Sequence, residues 1–202
     1  RAGRRGAGAA GRARGGGLRP ARVPLRPDAR VLEGPCRLRE VHCAHLDGDG
    51  HDGRARDDRD SAPFAPKGIV TRPLPIIDDG ERPRIPMADS IIYELHVKSF
   101  TMLHPELPDE LRGTYAGLAH PAVLAHLRGL GVTAVELLPV QQQLTRRFLL
   151  ERGLIDYWGY NTIAFLAPDP RLAATSDPRA ELRNTIAALH AARVRASGIQ
   201  QI

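Results

Sequence analysis

At 202 residues the chain has room for one large domain or two small ones, but too little for a closed eight-stranded α/β barrel, which takes about 250 residues. A hydrophobic content of 42% permits a core, although only 4% of residues are aromatic. The net charge of +6 is gathered at one end, because Arg1 to Arg30 holds nine Arg and one Asp. That stretch has no aromatic side chain to stack on bases, so it reads as a disordered or non-native leader rather than a nucleic-acid-binding arm.

Residues 1–17 are an Arg/Gly/Ala run with too few large apolar groups to offset the entropy of ordering, and disorder is expected there. Residues 18–60 carry scattered Leu and Val with little periodicity. Cys36 and Cys43 stand near His42 and His45, but zinc ligands come at tighter, paired spacings, so incidental thiols are expected and no metal. The run from Asp47 to Gly53 resembles a calcium loop only at first sight. Counted from Asp47, its sixth and twelfth positions hold Asp52 and Asp58 where Gly and Glu are required, so it reads as a solvated acidic turn. No apolar run approaches the ~18 residues that a membrane helix needs, nor is there an apolar stretch of signal-peptide type. The expected compartment is cytoplasmic, with no membrane partner.

Residues 61–77 are punctuated by proline and extended, an edge strand or linker. Pro83 and Pro86 break the polar stretch that follows, and a domain boundary is expected near Asp89. Ile91 to Phe100 reads as a buried strand, with few polar positions, as in a parallel strand covered on both faces. His120 and Pro121 open a helix whose Val123, Leu124, Leu127 and Leu130 form one apolar stripe, closed by Gly131. Val132 to Val140 is a second strand, so strand, helix and strand make a βαβ unit. Gln141 to Arg171 is too long for an ordinary connection and is expected to be a functional loop. Asp177 and Pro178 start a second helix with Leu182, Ile186 and Leu189 on one face. After Ala192 no third strand is legible.

Three phrases carry a resemblance. They are Ile91-Ile-Tyr-Glu-Leu-His-Val-Lys-Ser-Phe-Thr, Leu130-Gly-Val-Thr-Ala-Val-Glu-Leu-Leu-Pro-Val and Tyr157-Trp-Gly-Tyr-Asn-Thr, joined by Leu111-Arg-Gly-Thr-Tyr-Ala-Gly-Leu. In this order they resemble the start of the catalytic domain of bacterial glycogen debranching enzymes and isoamylases, in the α-amylase superfamily. The likeness runs over about 105 residues, from Asp89 to Ala192, with a weaker echo at residues 25–34 and 57–66.

The resemblance implies an α/β fold, a partial (β/α)8 barrel of the first two βα units at residues 89–202. A degraded remnant of an N-terminal β-sandwich and its linker would occupy 18–88, behind the leader at 1–17. It makes Tyr160 the tyrosine that stacks under the glucose whose bond is cut. Asn161, Trp158 and Gln141 become further substrate-binding candidates, with anchoring of the loop the favoured reading for Trp158. Glu94, His96 and Tyr93 become structural residues of the barrel, and Arg146 and Arg147 an exposed loop face. The implied partner is glycogen or a maltooligosaccharide, with no cofactor. The family's nucleophilic aspartate, general-acid glutamate and third aspartate follow later strands, and Asp156 and Asp169 do not match them. No catalytic residue can be assigned, and cleavage of α-1,6 branch linkages is not expected of this chain alone. Together with the leader, the change of composition after Ala192 reads as out-of-frame translation, hence a truncated or frameshifted product. A trehalose-releasing hydrolase, a branching enzyme or a non-catalytic glucan-binding remnant are the other readings.

Overall fold

The computed structural model describes residues 28–34, 59–73 and 82–198. The leader, Cys36, Cys43 and the run from Asp47 to Gly53 lie outside them. In chain order the elements are β1 (Leu32–Glu33), β2 (Lys67–Gly68), β3 (Ile92–Leu95), α1 (Val97–Thr101), α2 (Tyr115–Leu118), α3 (Pro121–Gly129), β4 (Ala134–Leu137), β5 (Gln141–Gln143), α4 (Arg147–Leu150), β6 (Thr162–Pro168), α5 (Pro178–Ala191) and β7 (Arg195–Gly198). They fall into two compact units. One comprises Arg1–Arg72, Gln143–Tyr157 and Asn161–Ala167; the other comprises Pro73–Gln142, Trp158–Tyr160 and Pro168–Ile202.

The second unit is built on a parallel sheet in the order β3-β4-β7. Tyr93 is paired with Val135 and Leu95 with Leu137, while Val135 is also paired with Ala196. The helix between β3 and β4 forms as its residues dictate. Pro121 takes the first position, His120 Nδ1 accepts from the Ala122 N–H at 3.3 Å, and Val123 and Leu127 bury one face. Gly131 at φ 74° lets the chain turn back, with the Val132 N–H bonded to the Leu127 carbonyl at 3.0 Å. The core gathers Leu95, Tyr115, Leu118, Leu127, Val135 and Leu189 around the central strand.

Three expectations are corrected here. The strand read as Ile91 to Phe100 ends at Leu95, because His96 caps a short helix by accepting the Ser99 N–H on Nδ1 at 3.3 Å. Val97 and Thr101, four apart, are the buried residues of that helix. Nor is the strand covered on both faces, since Ile92 is exposed and only β4 is buried along most of its length. The third strand, expected to be missing, is present as β7. Val194 is buried, and the Arg195 N–H donates to the Thr133 carbonyl at 2.9 Å, which starts the pairing with β4. The change of composition after Ala192 therefore still supports a strand.

In α5 the cap is as expected, with Asp177 Oδ1 accepting from Arg179 N at 3.2 Å and Ala180 N at 3.0 Å. Its most buried face runs through Glu181, Thr185 and Leu189 rather than through Leu182 and Ile186. Both polar members of that face are satisfied, Thr185 by donating to the Tyr115 carbonyl at 2.9 Å and Glu181 by four donors described below.

The segment read as a loop from Gln141 to Arg171 contains regular structure, for β5 and β6 pair as a two-stranded sheet. In the first unit, β1 and β2 pair antiparallel, with Leu32 opposite Gly68. Leu32, Ala164 and Ala167 form a small core there. Arg146 and Arg147 are engaged rather than merely exposed, paired with Asp156 at 3.1 Å and Glu151 at 2.8 Å.

Candidate functional site

The carboxyl ends of β3 and β4 are where an open parallel sheet presents its loops, and ligands of such sheets bind there. Immediately beyond β3, the buried His96 ring meets the edge of Trp158, with centroids 6.0 Å apart and planes at 85°. Beyond β4, Pro139 backs onto Gly159, so closely that a Cβ on Gly159 would lie 2.8 Å from the Pro139 carbonyl oxygen. Gly159 itself has φ 91°, a conformation that costs other residues dearly. The turn Trp158-Gly159-Tyr160 is thus held against the ends of both strands. Trp158 and Tyr160 are 56% and 55% exposed, two large aromatic surfaces left open to solvent.

The base of this region is tied by Tyr115. Its hydroxyl lies 2.8 Å from the Val140 carbonyl oxygen and 3.1 Å from that of Asp169. The Asp169 N–H in turn donates to the Val140 carbonyl at 2.8 Å. The chain therefore leaves at Val140 and returns at Asp169 to the same point. Burial, reinforced by the Asp169 charge, pushes the Tyr115 hydroxyl well above 10.0, so it stays a donor. The Asp169 carboxylate is itself occupied by Arg171, whose N–H and Nε bond Oδ1 at 2.9 and 3.0 Å.

Glu181 is a second fastening. Oε1 accepts from Ala116 N at 3.0 Å and Ala174 N at 2.9 Å, and Oε2 from Thr175 N at 2.7 Å and Thr175 Oγ1 at 2.8 Å. Burial by itself raises this carboxyl, but the donors Ala174, Thr175 and Ala116 outweigh it and hold the group below 4.5. Both Tyr115 and Glu181 are absent from the expected site residues. What marks them is contact between distant positions, 25 and 54 apart for the Tyr115 hydroxyl and 65 apart for Glu181 with Ala116, and that is invisible along a sequence.

Of the expected substrate-binding residues, Trp158 and Tyr160 share one unit and flank the same glycine. Gln141 is buried, its Oε1 accepting from the Val140 N–H at 3.2 Å. Asn161 belongs to the other unit. It is half-buried, and its Nδ2 donates to Asp156 Oδ2 at 2.7 Å. Tyr93 packs its ring against Phe100 at 5.6 Å, a structural role as expected, and Glu94 is exposed. Among the described residues no group of three or more His, Cys, Asp or Glu could hold a metal ion, and no helix is long and apolar enough to cross a membrane.

No protein-family model matches the chain. It is 47% identical over 138 residues to a glycogen operon protein GlgX homolog of Haemophilus influenzae, covering 68% of this chain and 21% of that protein. It is 42% identical over 183 residues to a glycogen debranching enzyme of Salmonella typhi, covering 90% of this chain and 27% of the relative. An alignment of that length reaches well upstream of Asp89, beyond the segment that carried the resemblance. Among solved structures, a pullulanase type I from Bacillus subtilis complexed with maltose matches with a TM-score of 0.51 and 27% identity, over 65% of this chain and 20% of its own. An apo pullulanase from Paenibacillus barengoltzii matches with a TM-score of 0.50 and 26% identity, over 66% of this chain and 23% of its own. The chain thus spans about a fifth to a quarter of the length of these proteins. By these matches the chain belongs with the glycogen debranching enzymes of the α-amylase superfamily.

Proposed function

We propose that this chain supplies part of the glucan-holding rim of a hydrolase that cleaves α-1,6 branch linkages in glycogen-like glucans. The parallel strands β3, β4 and β7 are then the first strands of a (β/α)8 barrel occupying residues 89–202, and residues 18–88 belong to a preceding β-sandwich and linker. The reading is carried by the 42% identity to a glycogen debranching enzyme across 90% of the chain. It is supported by two exposed aromatic rings, Trp158 and Tyr160, at the carboxyl ends of the strands. A glucose ring has an apolar face of axial C–H groups that lies flat on an aromatic ring, and Tyr160 offers one. Asn161 and Gln141 are the polar residues proposed to accompany it. The B. subtilis pullulanase that shares this local fold was solved with maltose bound.

Glycosidase chemistry needs two carboxylates flanking the bond that breaks. Asp156 is engaged by Arg146 and Asn161, and Asp169 by Arg171. Binding without turnover is therefore what these residues support.

Trp158 is the only tryptophan in the chain, so intrinsic emission reports on this turn alone. Titration with maltohexaose should shift that emission to shorter wavelength in a saturable way, and Tyr160→Ala should weaken binding by about tenfold, the loss of roughly 1.4 kcal/mol of stacking. Glycogen should release no new reducing ends. A folded sample that gives neither an emission change nor heat on titration would refute the proposal.

A further inference from the structure

In the first unit, four consecutive residues each spend a hydrogen bond on Asp156 or Asn161. Gln143 Nε2 donates to the Asp156 carbonyl at 3.2 Å, and the Leu144 N–H donates to the Asn161 carbonyl at 3.0 Å. Thr145 Oγ1 accepts the Asp156 N–H at 3.3 Å, and Arg146 Nε donates to Asp156 Oδ2 at 3.1 Å. Asp156 is thereby fixed through its amide, its carbonyl and its carboxylate, and its side chain is almost wholly buried. Burying a carboxylate is costly unless it is paired, and Arg146 supplies the counter-charge from a position open to solvent.

That fixed carboxylate decides how Asn161 is oriented. A carboxylate only accepts, so the carboxamide must turn its NH2 group to Asp156 Oδ2, 2.7 Å away. Its Oδ1 is then directed away from that carboxylate. Asn161 is only half-buried, so the oxygen can meet a ligand. An acceptor of fixed direction suits a hydroxyl donor, the group that a glucan offers most densely.

We infer that Asp156 is a positioning residue, which aims Asn161 Oδ1 as a hydrogen-bond acceptor at a hydroxyl group of a bound α-glucan. The inference rests on the glucan-binding reading above and adds the residue that sets the polarity of the contact. Asp156 itself does not touch the sugar. Its influence passes through one carboxamide.

A double-mutant cycle on the full chain tests this, with maltohexaose as the probe and calorimetry as the readout. Asn161→Ala and Asp156→Ala should each weaken binding about tenfold, and the double variant should bind no more weakly than either single one. Asp156→Asn, which keeps an oxygen to accept from Asn161, should bind within about threefold of the original chain. A purely structural Asp156 would instead multiply its loss with that of Asn161, to about a hundredfold, and that result overturns the inference. So does an Asn161→Ala chain that binds normally. Should Asp156→Ala not fold, the side-chain amide protons of Asn161 in the unaltered chain decide the matter. Slow exchange with water and a shift on adding maltohexaose uphold the inference, and rapid exchange without a shift overturns it. Absence of any binding by the unaltered chain sinks the glucan-binding reading and this inference together. Normal binding with a failed cycle sinks only the inference.

Discussion

Gly159 leaves no space for a side chain against Pro139: a Cβ there would stand 2.8 Å from the proline carbonyl oxygen and 2.9 Å from its Cβ. With φ at 91°, the same residue occupies backbone space that an L-residue pays for. Both effects act on Gly159→Ala. The variant should lose about 2–3 kcal/mol of stability, from left-handed strain of about 1–2 kcal/mol plus the displaced contact. Because Trp158 and Tyr160 are the flanking residues, maltohexaose binding should weaken as well. Thermal melting alongside a Trp158 emission titration checks both, and a variant of unchanged stability would refute the close packing.

Tyr115 joins Val140 and Asp169 at the point where the chain leaves and re-enters the second unit. Tyr115→Phe preserves the buried ring and removes only the hydroxyl. Val140 keeps the Asp169 N–H and the Asp169 carbonyl keeps the Leu172 N–H, so neither acceptor is left bare. The expected loss is about 0.5–1.5 kcal/mol, the net worth of a hydrogen bond whose acceptor retains another donor. The same hydroxyl sets an alkaline limit. Its folded pKa is raised above 10.0, first by burial and then by Asp169. The folded state therefore holds the proton more tightly than the unfolded state. That contribution is complete below about pH 10 and is lost as pH rises toward the folded value. Denaturant titrations above pH 10 should show a steeper fall for the original chain than for Tyr115→Phe.

What could be read along the chain, and what could not, follows from where the determining partner sits. The helix at Pro121–Gly129 was legible because its cap, its proline and its Val123/Leu127 spacing are all local. The parallel alignment of Tyr93 with Val135 followed from two apolar runs separated by that helix. β7 was not legible, because Arg195-Ala-Ser-Gly has neither alternation nor β-branched residues. Its strand exists because β4 offers a free edge and Val194 is buried beside it. The end of β3 was overrun for the opposite reason. Val97 and Phe100 look like strand residues, yet His96 and Ser99 stand at the spacing of a helix cap. The turn from Trp158 to Tyr160 lies beyond the carboxyl ends of β3 and β4, against His96 and Pro139. The mount beneath Asn161, from Gln143 to Arg146, could not be seen, since three consecutive glutamines carry no periodic signal and all are buried.

Glu181 sits in the first turn of α5 and accepts from Ala116, Ala174 and twice from Thr175. Glu181→Gln places an NH2 group against donors on one side or the other, whichever way the amide turns. Stability should fall by about 2–3 kcal/mol, since bonds to a charged acceptor are worth more than neutral ones. The acid dependence should change too. The folded pKa lies below 4.5 because these donors outweigh the effect of burial. The stabilisation is thus present above the unfolded value and is lost as pH falls through the folded one. Unfolding midpoints measured between pH 6 and 3 should decline for the original chain and stay flatter for Glu181→Gln. Parallel curves would exclude the carboxylate as a fastening.

His190, in the last turn of α5, is buried, and neither ring nitrogen has a hydrogen-bond partner among the described residues. A polar group removed from water without a partner costs about 1–3 kcal/mol. An apolar side chain of similar volume avoids that cost and keeps the contacts of the ring. His190→Leu should therefore stabilise the chain by about 1–2 kcal/mol, which for a protein of this size raises the melting temperature by about 2–8 °C. The replacement should leave maltohexaose affinity unchanged, because His190 is not part of the turn that carries Trp158 and Tyr160. Calorimetric melting of both chains measures the effect. A destabilised His190→Leu would show that the packing of the ring outweighs the cost of its unpaired nitrogens.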